Sequence, residues 1–148
     1  MGLFEGVDSA KMQENNPKLG TGQHRVKIEK CLAKKGYHGN AFICEYRVVK
    51  SGNTLDPVGS LRGWTQNMDK NQDIALGNMK AFAAACLGVN PKDQARVDAE
   101  VSPVCKKALE ESISSAQVFK GIELDVQVDP ERKTEKGSFV KHTFAPVT

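Results

Sequence analysis

The chain has no apolar run near the length needed to cross a membrane. Its opening, Met1-Gly2-Leu3-Phe4-Glu5-Gly6, lacks the pattern of a secretory signal. It starts as a myristoylation site does, but Gly6 stands where Ser or Thr is required. A cytoplasmic protein is therefore expected. The sequence also contains no G-x-x-x-x-G-K-[ST], G-x-S-x-G or H-E-x-x-H, which removes the motifs of P-loop, α/β-hydrolase and zincin chemistry. Cys31, Cys44, Cys86 and Cys105 form no C-x-x-C pair, and no His stands at ligand spacing from them. They read as buried free thiols, and neither a metal nor a cofactor is expected. Carboxylates for a two-metal nuclease are scarce in the first strands, where Glu29 and Glu45 stand alone. No catalytic residue is assigned. Trp64 is the only Trp.

What is present fits one ordinary globular domain. The 148 residues are 39% hydrophobic and 26% charged, enough to bury a core. A net charge of +3 permits a polyanionic partner without demanding one. The distribution of charge says more. Arg25, Lys27, Lys30, Lys34, Lys35, Arg47, Lys50 and Arg62 crowd the first strands, opposed there by Glu29, Glu45 and Asp56. Acidic residues gather later, at Asp93, Asp98, Glu100, Glu110 and Glu111, and around Asp125–Glu135.

Three strands are expected in succession, over Gln23–Ala33, Asn40–Lys50 and Pro57–Thr65. Lys35-Gly36-Tyr37-His38-Gly39 and Ser51-Gly52-Asn53-Thr54 break them apart. In the first, His24, Val26 and Ile28 alternate with Arg25, Lys27 and Glu29. The pattern shifts at Lys30-Cys31, which suits a bulge. In the second, Phe42, Cys44, Tyr46 and Val48 form the core face. The third is ambiguous, and Arg62 argues that the face it shares with Trp64 points outward. A helix is expected over Asp69–Leu87, with Ile74, Ala75, Met79, Phe82, Ala83, Cys86 and Leu87 on its apolar face. A second short helix is expected after Ser102-Pro103. Two strands follow, Gln117–Asp129 and Ser138–Pro146, joined by a long charged loop. In the first of these, Val118, Ile122, Leu124, Val126 and Val128 share a face, with Phe119 opposite.

The order β-β-β-α-β-β is that of a mainly β fold, a five-stranded OB-type barrel with a helical insert between strands three and four. Residues 1–20 would form an N-terminal arm and residues 21–148 the OB domain, with the insert at 69–115. A barrel of this kind presents strands two and three and two connecting loops to its ligand. Cations and rings fall at those places. Lys34, Lys35 and Tyr37 lie on the first loop, and Arg25, Lys27, Arg47, Arg62 and Trp64 lie on the strands, with Lys141 nearby. Cations could track phosphates, and Tyr37 and Trp64 could stack on bases. Trp64 has a second reading, as a core anchor.

Two stretches carry a family resemblance. Met1-Gly2-Leu3-Phe4-Glu5-Gly6-Val7 is similar to the start of small phage proteins of this length. Thr134-Glu135-Lys136-Gly137-Ser138-Phe139-Val140-Lys141-His142-Thr143-Phe144-Ala145-Pro146 is similar to their closing hairpin. The chain thus resembles phage-encoded OB-fold proteins that bind single-stranded DNA. The resemblance implies sequence-tolerant binding that protects exposed strands in phage replication or recombination, in the host cytoplasm. The partners would be single-stranded DNA, or RNA as the alternative polyanion, a second copy of the chain, and replication or recombination proteins. No membrane is expected. The chain ends Phe144-Ala145-Pro146-Val147-Thr148, without the acidic tail through which many single-strand binders recruit partners. The competing reading is an interaction or assembly module on the same barrel, using Leu3, Phe4 and the apolar residues of the insert without nucleic acid.

Overall fold

A computed structural model describes residues 18–36, 39–69, 72–134 and 137–147. The protein is mainly β. Strands β1 (Gly22–Gly36), β2 (Gly39–Ser51) and β3 (Leu61–Asn67) come first. Helix α1 (Gln72–Cys86) follows. A helical turn α2 (Gln94–Arg96) runs on into a wider π-type turn, Val97–Val101, and α3 (Cys105–Ser112) completes the helical insert. Strand β4 (Glu123–Val128), a small hairpin of β5 (Arg132–Thr134) and β6 (Gly137–Phe139), and β7 (His142–Pro146) end the chain. None of the helices described is long and apolar enough to cross a membrane.

The main sheet is antiparallel, in the order β3-β2-β1-β4-β7. β1 is its long central strand, and it pairs with β2 along nearly all its length and with β4 over its first half. Two bulges bend it. Register slips between Arg25 and Val26 and between Ile28 and Lys30. The second slip is the expected one. It sets Glu29 aside, so that Cys31 returns to the core face and Lys30 to the outer one. At the far end of the β1–β2 pair, Gly52 donates its N–H to the Gln23 carbonyl at 2.8 Å. A Cβ on Gly52 would sit 2.9 Å from that oxygen, so only glycine fits this approach.

Alternation sorts the residues as expected in β2. Phe42, Cys44, Tyr46 and Val48 are buried, as are Val26 and Ile28 of β1. Register partners share a face in an antiparallel pair. Because Cys44 pairs with Trp64 and Tyr46 with Arg62, Trp64 and Arg62 face the core. This corrects the expectation that they point outward. Strand β3 also starts later than expected, since Pro57–Ser60 forms a turn.

α1 packs Ala75, Met79, Phe82, Ala83 and Cys86 inward. Phe82 is the centre of the core. Its ring lies 5.5 Å from Phe42, 5.3 Å from Trp64, 5.2 Å from Phe144 and 6.0 Å from Phe119, centroid to centroid. Ring pairs of this kind add about 0.5–1.5 kcal/mol each beyond their burial. Ile74 and Leu87, expected on this face, are instead exposed. They flank the stripe rather than lie on it.

The stretch expected to begin the fourth strand at Gln117 is a turn. Gln117 and Gly121 have φ of 44° and 88°, which breaks the alternation. Phe119 is therefore buried and Val118 exposed, the reverse of the expected faces. The Gln117 side chain takes over the ladder there. Its Nε2 donates to the Cys31 carbonyl at 2.8 Å, and its Oε1 accepts the Cys31 N–H at 2.9 Å. The expected last strand is also divided, with β6 in the hairpin and β7 in the sheet.

β3 and β7 are the two edges, and no backbone bond joins them, so the sheet is open. Two antiparallel steps separate each edge from β1, so both run in the direction of β1. The sheet curls enough for the ring of Trp64 on β3 to meet that of Phe144 on β7 at 4.8 Å.

Candidate nucleic-acid interface

The face away from the core carries the cations. In register, Lys27 lies between Arg47 of β2 and Glu123 of β4, Lys30 opposite Glu45, and Lys34 opposite Ala41. Arg25 lies between Lys50 and Asp125 on the same face. Lys27, Lys30, Lys34, Arg47 and Lys50 are exposed. Together they form a basic strip along the outer side of β1 and β2.

Two of these cations are partly engaged. Arg25 Nε donates to Asp125 Oδ1 at 2.9 Å, and that bond raises its pKa further. Arg47 Nε donates to Glu29 Oε1 at 2.9 Å, and one of its terminal nitrogens donates to the Gly59 carbonyl at 2.8 Å. The Arg47 bond holds the Glu29 carboxyl below its ordinary range. The bulge places that carboxylate beside Arg47. Lys27, Lys30, Lys34 and Lys50 enter none of the ion pairs found among the described residues.

Other expected contacts lie elsewhere. Lys34 and Lys35, expected on the first loop, lie instead on β1, which runs on to Gly36; Lys35 is exposed, but its register with Asn40 puts it on the core side of the sheet, beyond the packed core. Arg62 is withdrawn altogether. Its Nε donates to Asp56 Oδ1 at 2.7 Å, and its terminal nitrogens donate to the carbonyls of Leu61 and Leu55, both at 2.9 Å. The two side chains are 14% and 3% exposed, so this is a buried ion pair. Asp56 also accepts the Gly20 N–H at 2.8 Å, tying the entering chain to the β2–β3 loop. Lys141 is exposed beside β7, where Asp129 donates its N–H to the Lys141 carbonyl. It stands at the level where β1 begins, up to roughly 40 Å along that strand from Lys34.

Trp64 is 7% exposed, inside the cluster of Phe42, Phe82 and Phe144. It is the core anchor, and no base can reach its face. Tyr37 lies outside the described residues, as does most of the expected arm. Lys30 was not among the expected site residues. The signal for it was the same shift at Lys30-Cys31 that marked the bulge.

The thiols take no part in this surface. Cys31, Cys44 and Cys86 are buried, and Cys105 is half-buried. Burial first, and then the neighbouring Cys31, push the Cys44 thiol well above its ordinary range. Among the described residues, no group of three or more His, Cys, Asp or Glu could hold a metal ion. No protein-family model matches this chain, and no curated protein matches it.

Proposed function

We propose that this protein binds single-stranded nucleic acid, DNA foremost, without reading sequence, along the outer face of β1 and β2. One observation carries the reading: Lys27, Lys30, Lys34 and Arg47 come from two strands yet share one exposed face. Cations in a row neutralise successive phosphates and release counterions, which is the main source of non-specific affinity. Phe42, Tyr46, Trp64, Phe82, Phe119 and Phe144 are all buried, so what the described part of the strip offers a strand is charge. RNA carries the same phosphates and would be bound by the same contacts.

We infer an OB-type topology, left open between β3 and β7. The strand order, the insert after β3, and two edges running in the same direction all support it. In a closed barrel those edges would pair, and the Trp64–Phe144 contact brings them together through the core instead. The likeness of the two chain ends to phage single-strand binders supports a role in protecting exposed strands during replication or recombination. The test is fluorescence anisotropy of labelled oligo-dT and of a duplex of equal length, at low and at physiological salt. Tighter binding to the single strand, falling as salt rises, supports the reading. Absence of binding at low salt rejects it.

A second reading has its own observation. Leu55 and Val58 are 78% and 70% exposed on the β2–β3 loop, and Ile74 is 63% exposed on α1. Such residues suit an assembly module or a homo-oligomer. Sedimentation of the protein alone separates the two, since self-association without any DNA binding favours assembly.

A further inference from the structure

The basic strip does not stop at Arg25. There the outer face opens into a groove of about 630 Å³. Strands β1, β4 and β7 line it, with Gln23, Arg25, Gln127 and Thr143 among the residues they contribute. The end of β2 at Lys50 borders one part, and the turn Asn90–Lys92 after α1 borders another. That turn is held by its own bonds. Asn90 Oδ1 accepts the Lys92 N–H at 2.9 Å, and the Asn90 carbonyl accepts the Asp93 N–H at 2.9 Å.

The size is that of a small-ligand site. Its charge favours an anion, since the lining sets Arg25, Lys50 and Lys92 against one carboxylate, Asp125, with Asp129 behind Gln127. Asp125 engages Arg25 Nε, and the other guanidinium N–H groups remain for a guest. Lys50 and Lys92 are exposed and enter none of the ion pairs found among the described residues. Gln23 and Gln127 are exposed amides, each carrying a donor and an acceptor side by side; Gln127 Nε2 donates one N–H to Asp129 Oδ1 at 3.3 Å, which leaves its second N–H and its oxygen. That pairing matches the edge of a nucleobase. Both aromatic rings in the lining, His24 and Phe144, are 4% exposed, so stacking is not available there.

We propose that this groove seats one nucleotide of the bound strand. Its two flanking phosphates lie one by Lys50 and one by Lys92, and its base edge lies by Gln23 and Gln127. The inference rests on the single-strand reading and extends its path. Arg25 connects the two parts, being the register partner of Lys50 and lying two residues before Lys27 on the same face. A free nucleotide offers the same chemistry, but this continuity favours a nucleotide within a strand.

Amide NMR of the labelled full chain tests the proposal, with two separate titrations at low salt. One uses oligo-dT of about fifteen nucleotides, at the upper end of usual site sizes, and the other uses dTMP. The expected result is that oligo-dT shifts the amides of Lys92, Gln127 and Thr143 together with those of Lys27 and Lys30. Lys92→Glu should then weaken oligo-dT binding by about tenfold, through loss of a phosphate contact and added repulsion. If oligo-dT moves Lys27 and Lys30 but not the groove, the groove is overturned and the strip survives. If it moves neither, both readings fall. If dTMP saturates the groove while oligo-dT leaves it unmoved, the assignment to a strand is overturned in favour of a free nucleotide.

Discussion

The indole of Trp64 meets the ring of Phe144 at 4.8 Å, joining two edge strands that share no backbone hydrogen bond. The contact makes Trp64 a structural residue. Trp64→Ala should lower stability by about 3–5 kcal/mol, the usual loss when a large buried ring is removed. Urea unfolding measures this. The folded fraction should bind oligo-dT as the parent does. Weaker binding at unchanged stability would return the ring to the ligand.

Arg62 makes a parallel case among the cations. Its guanidinium is spent on Asp56 and on two carbonyls. Arg62→Ala leaves a buried carboxylate without its partner, which costs about 3–5 kcal/mol. DNA affinity at low temperature should not change. Replacing both members by apolar residues should recover only part of the loss, because Asp56 also accepts the Gly20 N–H. A double-mutant cycle read by urea unfolding checks this.

Gln117 completes the ladder of β1 with its side chain. Gln117→Ala would leave the N–H and the carbonyl of Cys31 without partners, at a cost of about 1–3 kcal/mol. Hydrogen exchange at the Cys31 amide should speed up. Protection equal to that of the parent would mean that another group takes over the bond.

His142 gives a pH dependence. Burial lowers its pKa from the ordinary 6.5; Lys18 and His24 lower it further, and a bond to the Val140 backbone opposes them. Its Nε2 is buried without a partner among the described residues, so a proton there would be an unpaired charge. Above pH 6.5 the ring is neutral in both the folded and unfolded states. As pH falls below that value, the unfolded chain takes the proton first, so stability declines until the folded ring is protonated too. His142→Gln should flatten this decline. Urea midpoints at about pH 7.5 and about pH 5.5 measure it. An equal decline in both proteins would contradict the assignment.

The sequence told most where a face could be read locally. Phe42, Cys44, Tyr46 and Val48 alternate without interruption, and the apolar shift at Lys30-Cys31 marks the bulge directly. Arg62 and Trp64 face inward, against the local pattern, for a physical reason. A charged residue ordinarily marks the solvent face, but the counter-ion of Arg62, Asp56, is supplied by a loop six residues away. Only the register with Tyr46 reveals that. The expected strand at Gln117 failed similarly. A regular apolar alternation continued through a turn, and the positive φ of Gly121 broke it. The basic strip was half legible. Arg25, Lys27 and Arg47 were found from alternation, whereas Lys30 needed the bulge and Lys92 needed the turn after α1 to come round to the sheet.

The salt dependence of oligo-dT affinity, compared between the parent and the Lys27→Ala/Lys30→Ala/Lys34→Ala variant, tests the basic strip most directly. If these lysines neutralise phosphates, the parent's log affinity falls linearly with log salt, and the variant's slope is shallower by about two to three units. Equal slopes in the two proteins, or no binding by the parent at low salt, would contradict a nucleic-acid surface on the outer face of β1 and β2.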